Sequence, residues 1–347
     1  MTVRLKDIAR DLGVSVVTVS KVLRNHEDIS DETRERVLKR IKELNYQPNP
    51  VARALVTGRT HLAGFVVPDL VHSFFAQLAK GISRTLRENG YGLVIASSEE
   101  DPELERQEIR QMLMRRLDVL MIASTQWSIE SFRAIEEQQR PYVLVDRRFP
   151  GSSTNFVGTD DIAVGRIATT HLIENKCKRI AHLAGRHVST AIDRLQGYRQ
   201  ALLSAGLVID EQMIVSLCHS DDSADFSGYD AMKHLLQRTK RPDGVFCHND
   251  PMAMGAMRAI LEAGLRIPQD IAIIGAGNVK YASDLRVPLS SIDQDSEVLG
   301  ERAARLAFSL MESKKPPPPK QILLAPKLVA RASSLRNGLS AAPDSGR

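Results

Sequence analysis

Two residues that can read the edges of DNA bases lie one helical turn apart in the segment SVVTVSKVL, residues 15–23. If this segment is a helix whose buried face is centred on Val19, then Val17 and Lys21 point away from that face. An exposed valine can contact a thymine methyl, and a lysine can donate to guanine O6 and N7 or to a phosphate. The residues expected nearer the buried face are Val16, Val22 and Leu23. The pattern predicts a DNA-reading helix; the alternative is a small helical bundle with one stray surface valine.

Polar side chains in the later part of the chain follow short apolar runs that are typical of strands. Asp146 closes YVLVD, Asn249 and Asp250 follow VFCH, and Gln294 follows SSID. Because open parallel sheets bind ligands at the carboxyl ends of their strands, these side chains predict a ligand cleft. Two structural alternatives stay open. Asp146 could cap its strand or hydrogen-bond between lobes, and Asp250 could cap the helix that starts at Pro251.

The DNA-reading segment is the second of three short helices predicted within residues 4–46. Gly13 ends the first helix, and Ser15 and Ser30 are N-caps of the second and third. The apolar residues at helical spacing are Leu5, Ile8, Ala9 and Leu12 in the first helix and Val37, Leu38, Ile41 and Leu44 in the third. A helix, a turn containing glycine and a second helix form the helix-turn-helix pattern.

Residues 47–60, QPNPVARALVTGRT, predict a linker that becomes helical only with a partner. Pro50 suits the first position of a helix, and Gly58 lies beyond its end. About seven residues are too few for an isolated helix in water, because helix nucleation is costly. Leu55 therefore lacks a core of its own, and its alternative is to pack on the head or the body of the same chain.

From residue 61 onward, short apolar strands alternate with amphipathic helices. The predicted strands are Leu62–Val67, Leu93–Ala96, Val119–Ala123, Tyr142–Val145, Arg179–Leu183, Val245–Cys247 and Ala272–Ile274. The predicted helices lie near 74–89, 102–115, 130–138, 162–175, 191–206, 228–238 and 251–264. Strands that are apolar throughout and separated by helices imply parallel sheets covered on both faces. A second block of alternation near residue 162 predicts two doubly wound lobes.

The charge is distributed unevenly over the 347 residues, whose formal net charge is +5. Residues 1–60 hold 12 basic and 8 acidic side chains, and residues 314–347 hold 7 and 1, whereas residues 61–313 hold 28 and 33. The 43% hydrophobic and 26% charged composition is ordinary for a globular protein and excludes collagen-like, disordered and disulfide-scaffold classes. A basic head on an acidic body indicates that the head meets a polyanion.

The cysteines and histidines show no spacing typical of a metal site or of a nucleophile. Cys177, Cys218 and Cys247 lack C-x-x-C spacing, and an odd number cannot all pair within the chain. The histidines that we expect to be structural are His182, His187, His219 and His248. The N-terminal residues have no apolar core of a signal peptide, and no stretch approaches a membrane span. We expect a cytoplasmic protein with no metal, no cofactor and no enzymatic activity.

Several strings closely resemble one protein family. LKDIARDLG at 5–13, VSVVTVSKVLRN at 14–25 and ISDETRERVLKRIKELNYQPNPVARAL at 29–55 resemble the DNA-binding head of the LacI/GalR family of bacterial transcriptional regulators. NDPMAMG at 249–255, GLRIPQDIAIIG at 264–275 and PLSSIDQ at 288–294 resemble that family's effector-binding core. The resemblance spans residues 3–333. It implies an α/β protein with a three-helix helix-turn-helix head, a hinge helix and a two-lobed, periplasmic-binding-protein-like body with parallel sheets.

The resemblance also implies domain boundaries. The helix-turn-helix domain is expected at 1–48, the hinge helix or linker at 49–59 and the effector-binding and dimerisation core at 60–335. Lobe 1 is expected at about 60–160 and 293–322, and lobe 2 at about 161–292 and 323–335. Residues 336–347 are expected to form a disordered tail, which lacks the leucine heptads of tetrameric family members. A dimer is therefore preferred.

The family's DNA contacts carry over residue by residue. Val16, Val17 and Lys21 match base-reading positions, although the helical wheel places Val16 nearer the buried side. Leu55 matches the leucine that wedges into the central base step of the operator. The full set of implied DNA-binding residues is Leu5, Ser15, Val16, Val17, Thr18, Ser20, Lys21, Asn25, Val51, Ala52 and Leu55.

The family's ligand cleft carries over in the same way. Arg194 matches a ligand-binding arginine, with an ordinary surface ion pair as the alternative, and Phe74 and Phe75 match an aromatic position on the cleft wall. The full set of implied effector-binding residues is Phe74, Phe75, Asp146, Arg194, Asn249, Asp250 and Gln294. The chain departs from the family where Gly277 replaces a common aspartate. Because that change removes a carboxylate and Arg147 and Arg148 follow Asp146, we expect an anionic effector, such as a sugar acid or a phosphorylated sugar, rather than a neutral hexose.

The sequence therefore predicts a DNA-binding transcriptional regulator, a homodimeric repressor whose affinity for double-stranded operator DNA is controlled by a small carbohydrate-like effector. The alternative is a sugar-binding transport protein or an α/β enzyme with a basic N-terminal arm. The missing signal peptide argues against the transport protein. The absence of a nucleophile paired with a base argues against the enzyme.

Overall fold

The computed structural model describes residues 3–23, 26–46, 54, 57–216, 224–313 and 315–336. The chain divides into two compact units, Met1–Thr60 and His61–Arg347, which we call the head and the body. Seven of the positions named above lie outside the described residues: Asn25, Pro50, Val51, Ala52, Leu55, Cys218 and His219. The finer boundaries predicted at residues 48 and 59 stay predictions.

Three helices form the head: α1 (Leu5–Leu12), α2 (Val16–Leu23) and α3 (Asp31–Glu43). Their caps are the predicted ones. Gly13 takes a left-handed conformation with φ 65°, the Ser15 hydroxyl accepts the Thr18 N–H at 3.0 Å, and the Ser30 hydroxyl accepts the Thr33 N–H at 3.4 Å. The core of the head contains Ile8, Ala9, Val19, Val22 and Val37. Leu38 was predicted in the buried stripe but is 47% exposed, because it lies beside that stripe on α3.

The body contains two six-stranded sheets. The strands of the first sheet are β1 (Leu62–Val67), β2 (Gly92–Ser97), β3 (Val119–Ile122), β4 (Tyr142–Val145), β5 (Phe156–Thr159) and β11 (Gln321–Leu324). They run in the order β11-β5-β4-β3-β1-β2, and all neighbours are parallel. The carboxyl ends of these strands therefore meet at one edge.

The second sheet repeats this design with one antiparallel strand. Its strands are β6 (Ile180–Leu183), β7 (Ile214–Val215), β8 (Gly244–Cys247), β9 (Ala272–Ala276), β10 (Ser290–Asp293) and β12 (Lys327–Val329). Their order is β12-β10-β9-β8-β6-β7, and only the β10–β12 pair is antiparallel among the described strands.

Helices cover both faces of each sheet, which is why the central strands are apolar throughout. They are α4 (Ser73–Glu88), α5 (Pro102–Met114), α6 (Arg133–Glu137), α7 (Asp161–Glu174), α8 (Ser189–Ser204), α9 (Ala224–Leu236), α10 (Asp250–Glu262) and α11 (Ser296–Glu312). Each sheet has one apolar cluster on either side. The two predicted lobes are thereby confirmed as two parallel α/β layers.

The chain passes between the two lobes three times. It leaves the first sheet after β5, returns after β10, and crosses again between β11 and β12. All seven predicted strands and all seven predicted body helices are present, with ends that differ by up to four residues. The prediction did not include β5, β7, β10, β11, β12 or α11. The strands that the sequence prediction missed lie at the edges of the sheets or next to the segments that pass between the lobes.

Two further expectations concern the described part of the chain. Cys177 and Cys247 are free thiols in buried positions, and burial raises the pKa of Cys177 to about 12. Within the described ranges, no group of three or more His, Cys, Asp or Glu side chains is arranged to hold a metal ion. None of the described helices has the length and apolar character needed to cross a membrane.

Candidate functional site

The outer face of α2 carries two exposed valines. Val16 is 45% exposed and Val17 is 61% exposed, whereas Val19 and Val22 are buried against α1 and α3. The helical wheel was wrong about Val16. Because α2 begins at this residue, Val16 lies before the turn that packs into the head. The base-reading role that the family resemblance implied for Val16 stays a prediction, and its exposure is compatible with that role.

Polar groups surround these valines on the same surface. The hydroxyls of Ser15 and Thr18 are 2.8 Å apart, so each has a local partner in the free head. Lys21, in the last turn of α2, forms an ion pair with Asp28 in the turn before α3. Leu5 is half-buried and packs on the core of the head. Ser20 is also half-buried.

A cleft opens between the two lobes at the carboxyl ends of their strands. Its cavity measures about 160 Å³. A cavity of about 150 Å³ is enough for a benzene-sized molecule. Six of the seven predicted effector residues line it: Phe74, Phe75, Asp146, Arg194, Asn249 and Gln294. The cleft is thus built where the strand-end argument placed it.

Phe74 and Phe75 form an aromatic corner at the start of α4. Both rings are nearly buried, at 4% and 6% exposure, and they meet edge to face with centroids 5.1 Å apart. The Phe74 N–H donates to Nδ1 of His72 at 3.3 Å, and His72 is the N-cap of the helix. The corner offers an apolar edge to a ring-shaped ligand.

Asp146 follows β4 in a left-handed conformation with φ 64°. Its N–H donates to Val157 O at 2.9 Å, and the next N–H, of Arg147, donates back to Val145 O at 2.7 Å. This tight turn places the carboxyl group of Asp146 in the cleft wall. Burial raises its pKa, and the guanidinium groups of Arg147 and Arg194 oppose that rise.

Arg194 is fixed by a close approach of two helices. A Cβ on Gly165 of α7 would lie 2.0 Å from the Arg194 carbonyl oxygen, and one on Gly197 of α8 would lie 2.0 Å from Ile162 O. This approach lets Arg194 Nε donate to Asp161 at 2.7 Å, while Nη1 donates to the His248 carbonyl at 2.5 Å. Burial raises the pKa of Asp161, which the Arg194 charge opposes. The ion pair is buried, so the surface ion-pair interpretation was wrong.

The side chains of Asn249 and Asp250 both accept hydrogen bonds within the second lobe. Asn249 is the N-cap of α10, since its side chain accepts the Met252 N–H at 2.9 Å. Asp250 is fully buried and accepts hydrogen bonds from Ser291 Oγ at 2.6 Å and the Val279 N–H at 2.9 Å. Both carboxylate oxygens are therefore used in joining β9 and β10 to α10. The N-cap interpretation of Asp250 was wrong. Asp250 is also not among the described residues that line the cleft.

Gln294 and Gly277 complete the wall from the second sheet. Gln294 follows β10, is 3% exposed, and its Nε2 lies 3.4 Å from Thr159 Oγ1 at the end of β5. Gly277 follows β9 with φ 125°, a conformation that favours glycine. A Cβ there would lie 3.6 Å from Asp250 Oδ2, so an aspartate would bring a second carboxylate close to a buried one.

The charges at the cleft do not favour an anion as the sequence suggested. Arg147 donates to both carboxylate oxygens of Glu100, at 2.6 and 2.9 Å, and this pairing holds the pKa of Glu100 low although burial alone would raise it. The described lining residues include three acids, Asp69, Glu100 and Asp146, and three guanidinium groups, of Arg147, Arg186 and Arg194. The premise of unpaired cations beside Asp146 was wrong, because Arg147 forms an ion pair with Glu100 and Arg148 forms one with Asp193.

Sequence reasoning missed several lining residues that follow strands by the same rule. His72 lies in the loop after β1, Glu100 after β2, Arg186 after β6 and His248 after β8. Burial lowers the pKa of His72 to about 4, so its ring is neutral at pH 7. Since Nδ1 of His72 accepts a hydrogen bond, the proton of the neutral ring is on Nε2. These residues could have been found from the sequence by their position directly after a predicted strand, whatever their residue type.

A second groove runs beside the cleft, where the loops after β3 and β4 face the start of α8. Trp127 and Phe149 lie on one wall, and Val188 and Ile192 on the other. Arg148, from the loop after β4, crosses between lobes: its N–H donates to Ser189 Oγ at 3.0 Å and its Nη2 to Asp193 Oδ2 at 2.6 Å. We call these two contacts the interlobe bridge.

Two protein families match the sequence. Residues 4–49 match the family described as bacterial regulatory proteins of the lacI family, and residues 169–334 match the periplasmic binding protein-like domain. The first match covers the three helices of the head, and the second covers most of the second lobe together with α11 and β11 of the first lobe.

Individual proteins match over nearly the whole chain. The HTH-type transcriptional repressor PurR of Histophilus somni strain 129Pt is 32% identical over 331 residues, which are 95% of this chain and 98% of that protein. The ribose operon repressor of Escherichia coli strain K12 is 35% identical over 302 residues, 86% of this chain and 90% of that protein. A crystal structure of the lac repressor dimer bound to operator and the anti-inducer ONPF gives a TM-score of 0.85 at 28% identity, and covers 96% of this chain and 100% of that one.

Proposed function

The chain belongs to the LacI family of bacterial regulatory proteins, and from that membership we propose that it is a transcriptional repressor controlled by a small-molecule effector. One observation carries the proposal: a single chain joins a helix-turn-helix head, whose α2 exposes Val17, to a two-lobed body with a polar cleft. The similarity to the operator-bound lac repressor dimer extends over both parts. Proteins that only transport sugars or catalyse reactions have no use for such a head.

On the DNA side, the outer face of α2 enters the major groove. Val16 and Val17 contact thymine methyl groups, Lys21 meets a guanine edge or a phosphate, and Ser15 and Thr18 contact phosphates. Two heads of a homodimer then read the two halves of a pseudo-palindromic operator. Leu55, which lies outside the described residues, is assigned to the central base step.

On the effector side, a polyhydroxylated or heterocyclic small molecule occupies the cleft. Phe74 and Phe75 contact its ring, while Asp146, Arg194, Asn249 and Gln294 bond its polar groups. Because these residues come from both lobes, the bound molecule stabilises one angle between the lobes over another. A ligand shifts such an equilibrium only through its differential affinity for the two states.

The balance of charges in the cleft favours a neutral or zwitterionic effector over an anionic one. Arg147 and Arg194 are already neutralised by Glu100 and Asp161. A target on DNA supports a cytoplasmic location. Relatives that are repressors support a function without enzymatic catalysis.

Binding to DNA tests the proposal directly. The purified full-length protein is titrated with a duplex of its own promoter region and with a random duplex of equal length, at about 50 and 200 mM salt. We expect tighter binding to the promoter duplex and a steep loss of affinity with salt for both. Equal affinity for the two duplexes, or no binding at low salt, contradicts the proposal.

Thermal unfolding identifies the effector class. The protein is screened against neutral sugars, sugar acids, nucleobases and nucleosides, because a ligand at 100 times its dissociation constant stabilises the folded state by about 2.7 kcal/mol. Arg194→Ala should abolish the shift given by the active compound while promoter binding persists. If Arg194→Ala keeps the shift, Arg194 is not part of the effector site.

A further inference from the structure

The ion pair between Lys21 and Asp28 joins the recognition surface of the head to the turn that follows it. Lys21 lies one helical turn after Val17 on the outer face of α2, and its side chain is 36% exposed. Asp28 lies in the turn between α2 and α3, and its side chain is 55% exposed. The paired ammonium lowers the pKa of Asp28, so this carboxyl is ionised at neutral pH.

Contact of this ammonium group with DNA involves Asp28 as well, because the two side chains form an ion pair. A phosphate or a guanine edge brings negative potential to Lys21, and the Asp28 carboxylate next to it is repelled by that potential. Binding therefore separates the pair or holds a carboxylate close to the DNA backbone. Either outcome makes the free energy of DNA binding less favourable. A head without Asp28 would bind DNA without this cost.

We propose that Asp28 is an intramolecular competitor with DNA for Lys21, and that it limits the affinity of the head for DNA. The proposal rests on the DNA-binding function. Asp28 acts through Lys21, so it is a positioning residue that sets the strength of the lysine contact. Its effect applies to any duplex, and it lowers binding to non-operator DNA in particular, where phosphate contacts supply nearly all the affinity.

The size of the effect follows from the exposure of the pair. Exposed ion pairs are weak, and the usual range for them corresponds to a change of about 1.4- to 5-fold in an equilibrium constant. We therefore expect Asp28→Asn to tighten binding to duplex DNA by about two- to fivefold at about 0.1 M salt. The gain should shrink at higher salt, since both the ion pair and the DNA contact are screened.

The experiment compares two charge-neutralising variants of the full-length protein. Asp28→Asn removes the partner of Lys21, and Glu27→Gln removes an equal charge from the adjacent exposed residue. Binding of a fluorescent random-sequence duplex and of the promoter duplex is measured by anisotropy. Both variants are repeated in a Lys21→Ala background, and circular dichroism compares the helix content and melting of all variants.

The proposal expects three results together. Asp28→Asn tightens binding more than Glu27→Gln does, the gain appears with both duplexes, and the extra gain of Asp28→Asn disappears in the Lys21→Ala background. A structural role of Asp28 would change melting and would not depend on Lys21.

Other results overturn the proposal. An equal gain from Asp28→Asn and Glu27→Gln shows a general charge effect, and an extra gain that survives in Lys21→Ala shows that Asp28 does not act through Lys21. Weaker binding by Asp28→Asn shows that the aspartate orients the lysine productively. Wild-type protein that binds neither duplex at low salt overturns the DNA-binding function itself, and the role of Asp28 with it.

Discussion

Val17 and Lys21 lie on the same face of α2, but a methyl group and an ammonium group read different features of DNA. We expect Val17→Ala to change the base preferred at one operator position, since contact with a thymine methyl carries sequence information. We expect Lys21→Ala to weaken binding by about 1–3 kcal/mol if the lysine donates to guanine, or to lower the salt slope by about 1 without a change of preference if it meets a phosphate. Operator selection and salt titrations measure both effects.

Leu38 offers a matched control for Val17, because it is an exposed apolar residue of the head on α3 rather than α2. Leu38→Ala should leave the preferred operator bases unchanged. If Val17→Ala and Lys21→Ala both keep the preference and the affinity of the wild type, α2 does not read DNA directly.

His182 links the core of the second lobe to pH. The ring is fully buried between Phe246 and Tyr198, and Nδ1 lies 3.1 Å from the Phe246 carbonyl oxygen, to which it donates. Burial lowers the pKa of His182 to about 4, whereas an unfolded chain titrates near 6.5. As the pH falls through 6.5, the unfolded state binds a proton that the folded state excludes. The stability due to the neutral ring is therefore lost between pH 6.5 and pH 4.

His182→Gln should remove this pH dependence, because a glutamine side chain does not titrate. Between pH 7.5 and pH 5, the free energy of unfolding of the wild type should fall by about 2 kcal/mol more than that of His182→Gln. Urea denaturation at the two pH values measures this difference. Taking the difference between variants cancels the opposite contributions of Asp161 and Asp250, whose pKa values burial raises. Parallel changes in the two proteins would contradict the assignment.

Pairs of helices in the body touch through glycines, which lets their backbones approach more closely than side chains would permit. Gly165 and Gly197 form the contact of α7 with α8, and Gly81 and Gly300 form that of α4 with α11. At the first contact the close approach also sets the place of Arg194. Packing between two helices thereby decides the position of Arg194, which we propose binds the effector.

Gly165→Ala should therefore affect both stability and effector binding. The new methyl would lie 2.0 Å from the Arg194 carbonyl oxygen. Its nearest neighbours are all backbone atoms of Arg194, which cannot move aside as a flexible side chain could. We expect the variant to lose about 1–3 kcal/mol of stability. The thermal shift produced by the active effector should weaken as well. Arg166→Ala, on the exposed side of the same helix, is the control and should change neither. An unchanged thermal shift in Gly165→Ala would separate Arg194 from this helix contact.

The sequence predicted the central strands and the strand-end side chains, because both follow from local rules. A run such as Leu62–Val67 is apolar on both sides and can only be a covered strand, and Asp146 follows such a run. The strand β11 was missed, since Gln321–Leu324 lies at a sheet edge and is half-exposed. The partner of Arg147 was missed because Glu100 is 47 residues away, and only the order of the strands brings the two together.

The two lobes are held at one angle by contacts that cross between them. Among the described residues, Arg148 of the interlobe bridge makes an ion pair with Asp193, the neighbour of Arg194 on α8. Asp193→Ala should release this contact and shift the population toward more open forms by about fivefold, the upper end of the range for surface ion pairs, because this pair is half-buried.

Small-angle X-ray scattering measures the change, because a wider angle between the lobes raises the radius of gyration. We expect Asp193→Ala to have a larger radius of gyration than the wild type in the absence of effector. Arg199→Ala is the matched control: it breaks an ion pair with Glu211 at 2.8 Å that is also made by α8 but stays within the second lobe. Equal radii of gyration of the two variants would show that the interlobe bridge does not set the angle.

The three crossings between the lobes also bear on the order in which a newly synthesised chain can fold. The three helices of the head and the turn after them are translated by residue 46, whereas the first sheet requires β11 at Gln321–Leu324 and the covering helix α11. A ribosome that has translated the head must add nearly 280 further residues, counted from 46 to 324, before that sheet can close. During this interval the nascent chain carries a folded head without a finished body. Translation thus produces the DNA-reading part first and the effector-responsive part only near its end.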